Sequence, residues 1–85
     1  MIKKAQLPRV FVDFHNSDRQ GRVRLNTVGA VRDLNLQGVV LYEGTEMVIY
    51  SYEDETDGIA TYSKEEGIWV AEFDSGKMRH LPDPG

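Results

Sequence analysis

Residues 57–74 read DGIATYSKEEGIWVAEFD and carry the single tryptophan of the chain. Ile59, Ala60, Thr61 and Tyr62 form a run rich in strand-favouring types. Ser63, Lys64, Glu65 and Glu66 interrupt it and Gly67 follows. A short polar loop ending in glycine predicts a type I turn closed at positive φ, the G1-bulge hairpin. From Ile68 to Asp74 the residues alternate: Trp69, Ala71 and Phe73 share one face, and Ile68, Val70, Glu72 and Asp74 the other. An unpaired buried carboxylate is costly, so the acids assign Trp69, Ala71 and Phe73 to the core. Burying each large apolar side chain there contributes about 1.5–3 kcal/mol. A ligand-stacking role for Trp69 is the competing reading, but its parity partners favour a core anchor.

Before this hairpin, Glu46–Tyr52 is a strand with Met47, Ile49 and Ser51 on one side and Val48, Tyr50 and Tyr52 on the other. Neither face is plainly polar, so the pattern does not choose the buried one. Residues 53–58, EDETDG, read as an acidic loop. Val39–Tyr42 is a short apolar run turned by Glu43, Gly44 and Thr45.

Near the start, Arg9–Phe14 alternates, with Val10, Val12 and Phe14 inward and Arg9, Phe11 and Asp13 outward. His15–Gly21, HNSDRQG, is dense in turn formers. Gly21–Leu25 follows as a strand with Val23 and Leu25 inward and Arg22 and Arg24 outward. Paired as a hairpin, these two strands set Phe11 among Arg9, Arg22 and Arg24 on an exposed face. Asn26 or Thr27 suits the cap of a short helix, in which Val28, Val31 and Leu34 make a narrow apolar stripe. Gly38 fits the position past its end. Gly29 and the valines argue against a helix, and an irregular strand over Val28–Val31 is the alternative. After Asp74, Ser75 and Gly76 turn the chain, and Lys77–Leu81 adds a short strand or a 3₁₀ turn.

These elements predict a mainly β fold: a small antiparallel SH3-like barrel of five or six short strands with at most one short helix, an OB-like barrel being the alternative. Residues 1–8 are expected to be a flexible start, 9–81 a single barrel domain and 82–85 an irregular tail. Eighty-five residues allow one modest core.

The chain has no cysteine, which removes disulfides, thiol nucleophiles and cysteine-ligated metals. A soluble cytoplasmic protein, with no membrane association, is the expectation. The formal net charge is -4, unevenly spread. Met1–Arg32 holds seven basic residues against two acids, and the remainder twelve acids against three basic residues. Interleaving of basic and acidic strands is expected, because opposite charges across strands stabilise a sheet.

Little in the pattern points to catalysis. Asp13, His15 and Asp18 crowd the first turn, and a distant ligand such as His80 would be needed to hold a cation. The plainer reading is a polar turn bonding its own backbone, so no metal or cofactor site is assigned. An EF-hand loop aligned on Gly58 would place Lys64 where a bidentate Glu is required. Ser17, Ser51, Ser63 and Ser75 lie in turns or at strand ends, and no phosphate-binding glycine motif is present. A non-catalytic binding domain is the expectation. Its first form is protein or peptide binding through an aromatic and acidic rim of Tyr50, Tyr52, Glu53, Asp54, Asp57 and Tyr62, suited to a basic peptide. The alternative is single-stranded nucleic acid on Arg9, Phe11, Arg22 and Arg24. An outward Phe11 also suits a structural homo-oligomer; the chain is taken as a monomer or weak homodimer.

Overall fold

A computed structural model describes residues 7–82. Along the chain these form β1 (Arg9–Phe11), β2 (Val23–Arg24), α1 (Val28–Leu36), β3 (Glu46–Tyr50), β4 (Asp54–Ser63), β5 (Ile68–Phe73), a 3₁₀ turn (Ser75–Lys77) and β6 (Arg79–His80). The six strands make one curled sheet in the order β1-β3-β4-β5-β2, with β6 beside the first half of β4. The fold is mainly β, with the single short helix set between β2 and β3. The expected flexible start lies outside the described residues except for Leu7 and Pro8, and the expected tail except for Pro82.

The β4–β5 hairpin forms as its sequence dictates. Tyr62 pairs with Trp69, Ala60 with Ala71 and Gly58 with Phe73. Gly67 takes φ +70°, which a side chain would strain, and its N–H donates to Ser63 O at 2.7 Å. Ala71 is fully buried in the core, and Trp69 and Phe73 pack against it. Val70 points to the opposite face, in register with Thr61 and Arg24, and is buried there as well.

The acidic stretch EDETDG is not a loop. From Asp54 onward it is the first half of the ten-residue strand β4. The alternation is hidden in the sequence because the inward positions are Thr56 and Gly58 rather than bulky apolar residues. Both are buried, and a Cβ on Gly58 would sit 3.3 Å from Ile49 carbons. The outward acids are matched by cations: Glu55 meets Arg9 at 2.8 Å and Arg79 at 3.2 Å, and Asp57 meets Arg79 at 3.4 Å. This is the expected interleaving of basic and acidic strands.

β1 runs parallel to β3, with Val10 opposite Ile49 and Phe11 opposite Tyr50. Within β3 the structure buries Met47 and Ile49 completely. Contrary to the expected hairpin, β1 and β2 do not pair along their length. They lie at the two ends of the strand order, and the chain meets β2 only beyond the turn, through the Ser17–Val23 bridge and Arg24 N–H to Asn16 O at 3.0 Å. Crossing from one edge to the other in this short span requires the sheet to curl. Asp18 holds the turn: its buried carboxylate accepts from the Gln20 and Arg22 amides at 2.9 Å and from Arg22 Nε at 2.8 Å. These bonds offset the desolvation of the charge.

The stretch after β2 is a helix. The Thr27 side chain accepts from the Ala30 amide, and Gly38, at φ +66°, closes the far end. The buried face differs from the expected valine stripe. Ala30, Asp33 and Leu34 are buried, whereas Val28 is 87% and Val31 42% exposed. The cause is the edge of β1, whose backbone groups lack a strand partner on that side. The Phe11 amide donates to Asp33 Oδ2 at 2.9 Å, the Arg9 amide donates to Gln37 Oε1 at 3.0 Å, and Gln37 Nε2 donates to Arg9 O at 2.6 Å. Side chains four apart on a helix are neighbours, and here they satisfy residues two apart on a strand. The need for these polar contacts turns Asp33 inward, sets the exposed Gln37 against Arg9, and leaves Val28 and Val31 in solvent.

Candidate functional site

At the end of β3 the Ser51 amide donates to Asp54 O at 2.8 Å, which closes a tight turn into β4. Tyr52, at the tip, is 89% exposed. The chain leaving β1 runs alongside, tied by the Val12 amide to Tyr50 O at 2.8 Å. Between these segments lies an open cleft of about 550 Å³, lined by Phe11–His15 and Ser51–Asp54.

Three rings border this cleft. Phe11 meets Tyr52 edge to face with centroids 5.2 Å apart, and Tyr50 at 5.6 Å. Phe14 rests edge to face on Phe73 at 5.3 Å. Such arrangements are the favoured ones for aromatic pairs. Asp13 and Glu53 are exposed at the rim. Asp54 Oδ1 lies 2.7 Å from His80 Nδ1, is closed to solvent and makes no hydrogen bond of normal geometry. Asp13 Oδ1 accepts the His15 amide at 2.9 Å, as a self-bonding turn requires. Among the described residues no lysine or arginine lines the cleft. On the helix side of the Phe11–Tyr52 pair a second hollow, of about 480 Å³, is bordered by Gly29, Arg32 and Tyr50.

The residues expected to form the peptide rim are thus only partly together. Tyr52, Glu53 and Asp54 share the cleft. Tyr50 lies beneath it and is structurally engaged: its hydroxyl donates to Asp33 Oδ2 at 2.7 Å, and the Arg9 guanidinium sits 4.8 Å from its ring centroid. Burial, reinforced by Asp33, pushes the Tyr50 hydroxyl above its ordinary value. Burial alone would raise the Asp33 carboxyl, but bonds from Tyr50 and the Phe11 amide, with the Arg32 charge, hold it below the usual range. Asp57 borders a different cleft, of about 370 Å³, with Phe73, Lys77 and Arg79. Tyr62 is at the far end of β4, edge to face on Trp69 at 5.3 Å.

The basic residues named for nucleic acid do not converge. Arg9 pairs with Glu55, Arg22 with the buried Asp18, and Arg24 with Glu66 through two bonds of 2.7 and 2.8 Å. The hydrogen bond from Arg24 holds the Glu66 carboxyl below its usual range. Phe11 is not a free outward ring but half-buried, seated against Gly29 of α1. Phe11, Phe14 and Asp13 instead belong to the cleft beside Tyr52. Phe14 was legible only as the third inward residue after Val10 and Val12; that the core row opens to solvent at its end depends on how the strands curl.

Among the described residues, no three His, Asp or Glu side chains are grouped so as to hold a metal ion, and no helix is long and apolar enough to cross a membrane. The chain matches no known family model, no curated protein and no solved structure.

Proposed function

We propose that this chain is a non-catalytic binding module that takes a basic peptide segment into the cleft beside Tyr52. The observation that carries this reading is the combination of aromatic rings and carboxylates in one open cleft, with no lysine or arginine among the described residues that line it. A cation over a ring face gains about 0.5–2 kcal/mol depending on desolvation. The surrounding acids would steer a basic partner and reject acidic ones. We assign no nucleophilic role to His15, whose side chain is fully exposed with only the half-exposed Asp13 carboxylate, 3.5 Å from its Nδ1, beside it. The nucleic-acid reading loses its main support once Arg9, Arg22 and Arg24 are each matched to a carboxylate. We read the barrel as SH3-like on the β3–β4–β5 meander followed by a 3₁₀ turn and a short last strand, with the parallel β1 as its departure; fold alone licenses no function.

The test is fluorescence anisotropy of a labelled lysine-rich peptide against the intact chain and two exposed-site variants, Tyr52→Ala and Glu53→Lys. Binding that weakens about tenfold or more in both variants, and falls with added salt, supports the reading. Equal binding by all three proteins, or none by the intact chain, rejects it.

A further inference from the structure

We propose that His15 and His80 gate this cleft by pH, so that a basic peptide is held while both imidazoles are neutral and is weakened once they take up protons. This rests on the peptide-binding reading above and adds its regulation.

The chain has two histidines, and each lies against an aspartate that lines the cleft. Cross-strand pairing of β6 with β4 sets His80 opposite Asp54. There its Nδ1 stands 2.7 Å from Asp54 Oδ1, the oxygen that is closed to solvent and has no well-aligned donor. His15 lines the cleft itself, with its Nδ1 3.5 Å from Asp13 Oδ1. Two stretches far apart in sequence thus bring both imidazoles to one place.

The neighbouring charges leave these aspartates to the histidines. β6 pairs with β4, whose other carboxylates near it are Glu55 and Asp57; Arg79 meets them at 3.2 and 3.4 Å. Glu53, in the turn before β4, is exposed, and its carbonyl accepts the Leu81 amide at 2.7 Å. Lys77, in the 3₁₀ turn before β6, borders the Asp57 cleft instead. Around His15 the charged groups are Asp13 on its own turn and, across the cleft, Glu53 and Asp54. Among the described residues no lysine or arginine lines the cleft, so imidazole supplies the positive charge that can form beside it.

Imidazole is the side chain whose charge changes between about pH 5 and pH 8. With both rings neutral, Asp13, Glu53 and Asp54 give the cleft three negative charges. With both protonated, two of those are offset, and a cationic ligand meets two like charges. The imidazoles are 100% and 88% exposed, and exposed ion pairs add little to stability. The effect therefore falls on the ligand and leaves the fold largely unchanged.

The test is titration calorimetry of a lysine-rich peptide with blocked termini, whose charge is constant over this range, at low salt between about pH 8 and pH 5.5. Ordinary carboxylates stay ionised throughout. The intact chain should bind about fivefold more weakly at the acid end. The double variant His15→Gln with His80→Gln should keep the tight affinity at both ends, and the double variant His15→Lys with His80→Lys the weak affinity at both ends. His15→Gln alone, at a fully exposed side chain, guards against misfolding of the double variants and should remove part of the pH effect. An affinity of the intact chain that does not change with pH overturns the gate and leaves the basic-peptide reading standing. A pH effect that persists undiminished in the glutamine variants also overturns it, since another group would then be titrating. Binding at no pH overturns both readings.

Discussion

The Tyr50 hydroxyl donates to Asp33 Oδ2 at 2.7 Å, and the same oxygen accepts the Phe11 amide at 2.9 Å. One buried carboxylate thereby joins the helix to the edge strand and to the strand beside it. It also fixes the backbone from which the Phe11 ring reaches the cleft. Stability and the binding surface are coupled through this oxygen.

Removing the two ends of that contact should have unequal effects. Tyr50→Phe deletes one donor to a charged acceptor and is expected to destabilise by about 1.5–3 kcal/mol. Asp33→Ala strands both the hydroxyl and the Phe11 amide, at about 1–3 kcal/mol for each donor, and should accelerate hydrogen exchange at Phe11. Urea unfolding and amide exchange check this. An Asp33→Ala variant no less stable than Tyr50→Phe would contradict the account.

The acid limb of stability follows from the carboxylates. Burial pushes the Asp18 carboxyl up, but bonds from Arg22 and Gln20 outweigh it and hold it below its ordinary value. The hydrogen bond from Arg9, opposed by burial and helped by Arg79, does the same for Glu55; Asp33 and Glu66 are depressed too. A group whose folded value is depressed contributes stability above its unfolded value and loses it as pH falls through the folded one. The urea midpoint should therefore be flat from about pH 7 to pH 5 and fall steadily below about pH 4. Stability that rises on acidification through that lower range would refute the pairing scheme.

Gly29 tests the seat of Phe11. On helix propensity alone, Gly29→Ala should stabilise α1 by about 1 kcal/mol. A Cβ at this position would lie 2.7 Å from Phe11 Cδ1, so the ring must move. We expect no net gain in stability, together with displaced ring resonances of Phe11 and Tyr52. A full gain with both rings unmoved would show that Phe11 does not rest on the helix.

Much of the fold was readable because the strands that carry the core alternate cleanly. Val10, Val12, Val23, Leu25, Ala71 and the glycine-closed turn at Gly67 stand where their pattern puts them. Two misreadings share one physical origin, a polar or small residue at an inward position: Thr56 and Gly58 disguised half of β4 as a loop, and Asp33 turned the helix away from its valines because β1 needed its hydrogen bond. Two others do not: Val70, set on the outer face by its acidic neighbours, is buried, and β1 pairs in parallel with β3 instead of forming a hairpin with β2. The cleft was legible as Tyr52, Glu53 and Asp54 on one turn. Its other wall, Phe11 to His15, is far away in sequence and is brought there by the parallel pairing of β1 with β3, which no local pattern encodes.

Tyr62 should act as a lid on the indole. Trp69 is half-buried beneath its edge-to-face contact at 5.3 Å. Tyr62→Ala is expected to raise acrylamide quenching of the single tryptophan and to cost about 0.5–1.5 kcal/mol of aromatic contact. Quenching unchanged by the substitution would mean that the indole is covered by something else.

Peptide binding beside Tyr52 is read most plainly from an amide chemical-shift map recorded while a lysine-bearing peptide is added to the labelled protein. Shifts are expected to concentrate on Phe11, Asp13, Phe14, Tyr52, Glu53 and Asp54, with Tyr62 and Arg24 unmoved. Shifts centred on Arg9, Arg22 and Arg24, or on the Asp57–Arg79 cleft, with Tyr52 silent, would contradict it.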